Sequence, residues 1–264
     1  MNLSLASIHV YPIKSLGGFA VEKARLTDRG LEHDRRWMLV DVDGNFVTQR
    51  ECAALARLHT SPKTGGFEVI DTRNGDAMNL PWYIGHSIER MCSVWSDRVR
   101  TVEGDPAWNN WFSDRLDRKV ILVYMPDGTK RRTDGRYAKG LTSLSDGFPY
   151  LIISQASLDD LNTRLPEPVP MDRFRPNLVV AGGVAYQEDG WKEIRIGEAL
   201  FTLVKPCARC TIVTTDQQTG MRSKEPLRTL AGYRSIGSKV LFGMNAMGPT
   251  TGELHIGHII VPNR

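Results

Sequence analysis

Two cysteines, Cys207 and Cys210, stand three residues apart in the segment Lys205-Pro-Cys-Ala-Arg-Cys210. Two thiols at this spacing can bind one metal ion, form a redox disulfide, or present one thiolate. Lys205 and Arg209 favour a thiolate, because a neighbouring positive charge stabilises the anion. The spacing alone does not choose among these chemistries, and two small buried apolar side chains are a further alternative.

The residues around the pair weigh against several of these chemistries. A structural zinc ion needs two further ligands, yet Cys52 and Cys92 stand alone, and His255 and His258 would face opposite sides of a strand. A thioredoxin-like pair opens a helix, whereas the β-branched run 211–215 predicts a strand. An iron-sulfur cluster needs four suitably spaced cysteines, so we expect no intrinsic cluster and an external source of electrons.

Basic residues beside turn-forming residues suggest a site for an anion. Lys14 and Ser15 follow a Tyr-Pro pair, Arg35 lies in Asp-Arg-Arg-Trp, and Arg175 and Asn177 lie in Phe-Arg-Pro-Asn. Each arginine alone fits a surface salt bridge. Together, a lysine charge, arginine forks and neutral donors could form a phosphate pocket.

Short apolar runs separated by turn residues predict that strands position these groups. The Asp43-Gly44 and Asn74-Gly75 pairs predict tight hairpins. Two helices are expected, one at 107–116 capped by Asp105 with Pro106 at its first position, and one at 157–165. The predicted strands are 3–11, 37–42 with 46–48, 67–70 with 77–80, 119–124, 178–181, 193–196, 200–204, 211–215, 239–244 and 255–261.

The fold class expected from this pattern is mainly β with a few helices. The strands after residue 178 suggest a closed or nearly closed barrel. The polar stretch 126–140 is the best boundary, which gives a β-rich N-terminal domain over residues 1–125 and a barrel domain over residues 126–264. Trp82, Trp95 and Trp191 are expected in the core rather than in a substrate channel.

Composition excludes several classes of protein. The 264 residues are 41% hydrophobic, which suffices for a core, and four cysteines are too few for a secreted disulfide scaffold. We expect a cytoplasmic protein without a membrane partner, because no apolar run is long enough to span a bilayer and the N-terminus lacks the pattern of a signal peptide. A net charge of +4 permits an anionic ligand but predicts no nucleic-acid partner. The basic run from Lys130 to Lys139 predicts a solvated loop.

Six segments, taken in order, resemble a known family. They occur in proteins that join an N-terminal β-barrel segment to a MOSC domain, including the mitochondrial amidoxime-reducing component and its bacterial counterparts. The resemblance extends over nearly the whole chain. The segments are Tyr11-Pro-Ile-Lys-Ser15, Asp34-Arg35, Ser145-Asp-Gly-Phe-Pro149, Phe174-Arg-Pro-Asn177, Cys207-Ala-Arg-Cys210 and Glu225-Pro-Leu-Arg-Thr-Leu230.

The resemblance implies a molybdenum cofactor whose metal is bound by one cysteine thiolate. The family's ligand directly follows an arginine, which makes Cys210 the metal ligand and catalytic residue and Cys207 its neighbour. The resemblance also implies the remaining contacts: Lys14, Ser15 and Arg35 with the cofactor phosphate, Asp146 and Gly147 with the pterin, Arg175, Asn177 and Arg209 along the cofactor, and Asn245 near the metal.

The activity implied is reduction of small N-hydroxylated compounds such as amidoximes and hydroxylaminopurines. Neither a membrane anchor nor a C-terminal ferredoxin-like domain is recognised in the sequence, so we expect a separate electron donor, a ferredoxin or a reductase. The alternative is a non-catalytic carrier of molybdenum cofactor or sulfur. Pyridoxal phosphate binding is a further expectation at the level of the family.

Overall fold

The computed structural model describes residues 2–85 and 87–263, and strands dominate them. The strands are β1 (Leu3–Val10), β2 (Phe19–Val21), β3 (Lys23–Thr27), β4 (Gly30–Leu31), β5 (Trp37–Val40), β6 (Leu58–Lys63), β7 (Gly66–Asp71), β8 (Ala77–Pro81), β9 (Glu89–Val94), β10 (Asp97–Glu103), β11 (Ile121–Tyr124), β12 (Arg131–Arg132), β13 (Leu141–Thr142), β14 (Tyr150–Ser154), β15 (Leu178–Ala181), β16 (Glu193–Ile196), β17 (Ala199–Arg209), β18 (Ser235–Ile236), β19 (Lys239–Met247), β20 (Glu253–His255) and β21 (Ile259–Asn263). The helices are α1 (Pro106–Leu116), α2 (Gln155–Arg164) and α3 (Leu227–Ala231).

Seven strands close a barrel in the order β14-β15-β1-β21-β16-β17-β19, with β19 pairing back to β14. The β14–β15 pair is parallel and the other pairs are antiparallel. Alternate side chains fill the interior with apolar groups, including Ile8, Ile152, Leu178, Ile194 and Phe201. The barrel and the scarcity of helices confirm the mainly β class predicted from the sequence.

A second apolar core lies under two further sheets, β5-β11-β10-β9 and β6-β7-β8, with α1 packed against it. Trp37 of β5 is 1% exposed at its centre. Its ring contacts Phe67, Trp108 and Tyr124 at centroid distances of 6.4, 5.9 and 4.9 Å. The backbone oxygen of Trp37 also accepts a hydrogen bond from the nitrogen of Lys14 at 2.8 Å, so this core supports a residue expected at the functional site.

The first strand of the chain lies in the C-terminal barrel, and the third pairs with a C-terminal strand in a separate sheet. β1 pairs with both β15 and β21, and β3 pairs with β20. Residues on both sides of the expected division at residue 125 therefore share one sheet. The division itself stays a prediction.

Several local predictions are confirmed. The Asn74-Gly75 hairpin joins β7 to β8, and Gly75 has the positive φ of 78° that such a turn requires. The carboxylate of Asp105 accepts a hydrogen bond from the nitrogen of Ala107 at 2.7 Å and caps α1. The second predicted helix also forms, although it begins two residues earlier, after a cap by Ser154.

Three predicted strands are wrong in part or in full. The run Thr211–Thr214 forms a short 3-10 helix rather than a strand, because burial of Val213 against another apolar cluster overrides its β-branched preference. The predicted strand 255–261 is two strands, split at Gly257 with φ of 83°. Residues 46–48 form only a bridge from Phe46 to Val40.

Within the described residues, no helix is both long enough and apolar enough to cross a bilayer.

Replacement of Trp37 by alanine tests the second core. We expect the free energy of unfolding to fall by about 3–5 kcal/mol, because a large buried aromatic side chain is removed. Tyr83→Ala is the matched control, since Tyr83 is 70% exposed and its loss should cost about 0.5 kcal/mol or less. Urea denaturation measures both values, and similar losses for the two variants would contradict this description of the core.

Candidate functional site

A cavity of about 460 Å³ lies at one end of the barrel. Every residue that the sequence predicted for the site is in its lining. The loop after β1 supplies Lys14 and Ser15, the loop before β5 supplies Arg35, the loop before β14 supplies Asp146 and Gly147, the segment before β15 supplies Arg175 and Asn177, β17 and the residue after it supply Arg209 and Cys210, and β19 supplies Asn245.

An ion-pair network joins three residues of the lining. The Asp146 carboxylate accepts hydrogen bonds from Lys14 Nζ at 2.5 Å and from Arg50 Nη2 at 2.8 Å. Burial lowers the pKa of Lys14 to about 8, and Asp146 offsets only part of that effect. The Asp146 side chain is 56% exposed, so only partial desolvation opposes its charge, and Lys14 and Arg50 hold its pKa far below the usual range. Asp146 is therefore ionised at neutral pH.

A second arrangement stacks two guanidinium groups on one ring. The Cζ atoms of Arg35 and Arg175 lie 4.5 and 4.4 Å from the ring centroid of Tyr11. Arg35 also donates to the Asp34 carboxylate at 2.6 Å and to Asn177 Oδ1 at 3.0 Å. Burial raises the pKa of Tyr11 to about 12, so the ring stays uncharged between the two cations at neutral pH.

The guanidinium of Arg175 differs from that of Arg35. Burial lowers the pKa of Arg175 to about 10, which still leaves the group charged at neutral pH. Among residues 2–85 and 87–263, none accepts a hydrogen bond from its side chain. A half-buried charge that no described side chain or carbonyl engages is suited to an anionic ligand in the cavity.

Left-handed backbone conformations concentrate around the cavity. Ser15, Arg35, Trp95 and Arg175 have φ of 69°, 48°, 56° and 55°, and all four line it. Such conformations are unfavourable for residues other than glycine, by about 1–3 kcal/mol each. They cluster at functional sites, where the surrounding structure holds side chains in one direction.

Two irregularities in the β17–β19 pairing shape the wall that carries the cysteines. The register shifts between Leu203 and Lys205, and again between Pro206 and Ala208. Gly243 of β19 lies opposite the second shift with φ of 76°, and a Cβ there would lie 2.6 Å from Ile153 Cγ1. Such bulges redirect side chains, so glycine at this position determines how the strands present their polar groups to the cavity.

The two cysteines occupy different environments, although both are half-buried in the lining. Cys207 lies within β17, and its sulfur accepts a hydrogen bond from Arg209 Nη1 at 3.1 Å. Cys210 follows the strand and caps the 3-10 helix, in an extended conformation. Burial lowers the pKa of Arg50, but the charges of Asp146 and of the nearby Cys210 outweigh it and raise that pKa.

Several residues of the lining escaped the sequence analysis. Arg50 has no motif around it, and Lys239 begins a strand. Trp95 is 51% exposed and lines the cavity, which corrects its expected place in the core. Trp191 is buried in the barrel core and Trp82 packs against the second core, as expected.

The expectation of a solvated basic loop is wrong for Arg131. This side chain is 5% exposed, and it donates to the backbone oxygens of Ser143 and Ser145 at 3.0 and 2.5 Å and to the Asp97 carboxylate. It therefore fixes the loop that presents Asp146. Alternation of buried and exposed residues across the short β12–β13 pair is the physical reason that one member of the run points inward.

Loops from both ends of the chain are tied together behind the cavity. The side-chain amides of Gln49 and Gln217 bond each other reciprocally at 2.9 and 3.0 Å, and both residues are buried. Arg222 donates to the backbone oxygen of Arg50 at 2.9 Å. These contacts hold the Arg50 loop against the segment that follows Cys210.

The lining suits an anionic, polar ligand. In the described part of the chain, seven basic residues line the cavity and a single acidic residue, Asp146, faces them. Tyr150 Oη and Arg209 Nε are buried without a hydrogen-bond partner in that part. A Cβ added at Gly147 would meet open space. Unpaired buried donors and an excess of positive charge are what a phosphate-bearing ligand would satisfy.

A metal at this site would need ligands from a bound molecule. Across residues 2–85 and 87–263, no group of three or more histidine, cysteine, aspartate or glutamate side chains is arranged to hold a metal ion. Cys210 can supply one thiolate, and soft thiolates bind soft or redox-active metals. The remaining ligands would come from outside the protein.

Comparison with known proteins identifies the family of the chain. The MOSC N-terminal beta barrel domain matches residues 2–119 and the MOSC domain matches residues 140–261. The chain is 32% identical to mitochondrial amidoxime reducing component 2 of Rattus norvegicus, over 96% of this chain and 81% of that protein. It is 34% identical to molybdenum cofactor sulfurase of Oryza sativa subsp. japonica, over 92% of this chain but only 32% of that protein. The chain therefore spans about a third of the length of this relative.

Among solved structures, the crystal structure of the YUAD protein from Bacillus subtilis is similar. The match covers 98% of this chain and 94% of that chain, with 10% sequence identity and a TM-score of 0.43. The chain belongs to the family of proteins that join a MOSC N-terminal barrel domain to a MOSC domain.

Proposed function

We propose that the cavity binds the molybdenum cofactor and that the protein is a reductase of N-hydroxylated compounds such as amidoximes and hydroxylaminopurines. The observation that carries the proposal is the position of Cys210, whose half-buried side chain lines a cavity with seven basic residues and one acidic residue among those described. The name and coverage of the rat relative support the choice of substrate class. A separate electron-donor protein and a cytoplasmic location are part of the proposal.

Different residues of the lining would contact different parts of the cofactor, according to their charge and shape. Buried cations suit the phosphate, a carboxylate acceptor and an open glycine suit the pterin with its N–H donors, and the thiolate suits the metal. In this arrangement Lys14, Ser15 and Arg35 would hold the phosphate, Asp146 and Gly147 the pterin, Arg175, Asn177 and Arg209 the opposite side, and Cys210 the metal, with Asn245 beside it.

The molybdenum cofactor, when bound, supplies two-electron reduction chemistry. In the overall reaction the N–O bond breaks, two electrons come from the donor protein, two protons are taken up, and the oxygen leaves as water. The protein's own side chains bind the cofactor and the substrate and hold them in orientation. Arg35 and Arg175 remain charged, and neutral Tyr11 separates them without adding negative charge next to a phosphate.

The similarity to molybdenum cofactor sulfurase favours a second candidate function. The protein would then carry the cofactor or its sulfur without turning over a substrate. Assay of benzamidoxime reduction with an artificial electron donor separates the two candidates. A protein that retains a full complement of molybdenum yet does not reduce benzamidoxime or 6-hydroxylaminopurine would favour the carrier.

Replacement of Cys210 by serine tests the proposed metal ligand. We expect loss of bound molybdenum and a fall in benzamidoxime reduction of at least about 100-fold, because a hard hydroxyl replaces a soft thiolate. Cys207→Ser is the matched control and should keep its molybdenum, with activity within about tenfold of the wild type. Metal analysis and steady-state kinetics measure both quantities. Full molybdenum content in the Cys210 variant would overturn the assignment.

The lowered pKa of Lys14 predicts how anion binding depends on pH. Lys14 is protonated below its pKa of about 8 and loses its charge above it. Binding of sulfate, whose charge is constant here, to protein made without cofactor should weaken roughly tenfold from pH 7 to pH 9, since about a tenth of the lysine stays protonated one unit above its pKa. Calorimetry measures the affinity. Lys14→Met should bind sulfate weakly at both pH values, and a wild-type affinity unchanged between them would contradict the role of Lys14.

A further inference from the structure

The geometry of its turn does not explain why residue 95 is a tryptophan. It lies in the hairpin between β9 and β10, with a left-handed φ of 56°. Glycine or asparagine serves such a position with less strain than a bulky aromatic residue. The side chain is 51% exposed, so burial does not explain it either. The indole does line the cavity that contains Cys210.

Two neighbours hold the indole in place. The Phe46 ring meets it edge-on, with a centroid distance of 5.3 Å and an interplanar angle of 60°. The guanidinium carbon of Arg50 lies 4.5 Å from the indole centroid. These contacts fix the orientation of the ring and still leave half of the residue exposed at the cavity.

Arg50 lies in the same cavity as the indole and the candidate metal ligand. Its guanidinium donates to the Asp146 carboxylate at 2.8 Å, and Trp95, Arg50 and Cys210 all line the cavity. Its backbone oxygen accepts a hydrogen bond from Arg222. A flat apolar ring and a fixed guanidinium therefore lie together in the cavity that Cys210 also lines.

We propose that Trp95 and Arg50 form the substrate subsite of the cavity and select planar, conjugated N-hydroxylated compounds. The conjugated ring of the substrate stacks on the indole, and the guanidinium donates a hydrogen bond to the oxygen of the N–O group. Stacking is selective because an aliphatic amidoxime has no aromatic ring to lie on the indole. This inference rests on the proposed reductase function and names the substrate class that the site prefers.

Binding to the oxidised, molybdenum-loaded protein tests the subsite without turnover, because no electron donor is present. Calorimetry compares benzamidoxime with acetamidoxime, which share the reacting group and differ in the ring. We expect Trp95→Gly to weaken benzamidoxime binding about tenfold and to leave acetamidoxime binding unchanged. Trp95→Phe should restore most of the affinity for benzamidoxime.

Glycine is chosen at position 95 because it relieves the left-handed strain. We expect the Tm of Trp95→Gly to be no lower than that of the wild type, whereas a purely structural tryptophan would make the Tm fall. Asp117→Gly is the matched control, since Asp117 is exposed, has a φ of 46° and is not in the cavity lining. It should leave the affinity for both ligands unchanged.

Arg50→Met tests the second half of the subsite. The N–O group is common to both ligands, so the variant should weaken benzamidoxime and acetamidoxime binding by the same factor, with molybdenum content measured alongside. In steady-state assays of Trp95→Gly, KM for benzamidoxime should rise about tenfold while kcat is unchanged.

The outcomes separate this inference from the proposed function. Equal weakening of both ligands in Trp95→Gly, or no weakening of either, overturns the subsite even if the wild type reduces benzamidoxime. Absence of binding of both compounds to the wild type also overturns it. Selective binding without reduction by the wild type in the presence of a donor supports the subsite and contradicts the reductase.

Discussion

Repulsion among basic side chains in a partly buried cavity is the constraint on which the rest of this structure depends. Seven basic residues line a cavity of about 460 Å³, and among the described residues Asp146 is the acidic member of that lining. Like charges at short range are costly where water is displaced. The fold limits this cost locally: Asp146 pairs with Lys14 and Arg50, and the Tyr11 ring separates Arg35 from Arg175. The positive charge that these contacts leave uncompensated is available to bind an anion.

Holding such a lining together requires both ends of the chain. The loop after β1 and the loop that carries Arg50 come from the N-terminal part, whereas β17 and the segment before β15 come from the C-terminal part. The β1–β15 and β1–β21 pairings and the buried Gln49–Gln217 contact join these parts. Because the barrel sheet itself includes β1, the cations cannot separate without breaking barrel hydrogen bonds. Rigid support of this kind is what a preorganised binding site needs.

The sequence predicted the residues of the lining better than the path of the chain between them. Lys14, Arg35 and Arg175 could be found because each stands beside turn-forming residues, and the structure places them in left-handed or loop conformations around one cavity. The roles given to them stay predictions. The run 211–215 was misjudged because its β-branched residues favour a strand locally, while packing of Val213 in an apolar cluster decides the outcome.

Arg131 and Trp95 show a different limit of sequence reasoning. Nothing local marks one arginine of a basic run as buried, because its burial depends on the backbone oxygens of Ser143 and Ser145, which approach only in the folded chain. An aromatic residue in a polar turn suggests packing, whereas the left-handed backbone of Trp95 and its open face become visible only in three dimensions. Local pattern identifies groups that carry chemistry by type, but groups that act through position need the tertiary structure.

The difference between the two cysteines follows from the same tertiary arrangement. Cys207 lies within a paired strand, and Arg209 donates to its sulfur, so one potential coordination direction is already used. Cys210 lies one residue beyond the strand, where the chain turns into a 3-10 helix, and a loop tied to the other end of the chain brings Arg50 to it. Both cysteines line the cavity, and Cys207 is the one whose sulfur accepts the hydrogen bond from Arg209. A thiolate that binds an incoming metal needs a fixed position and an uncommitted sulfur, and these surroundings support the proposal that Cys210 is that ligand.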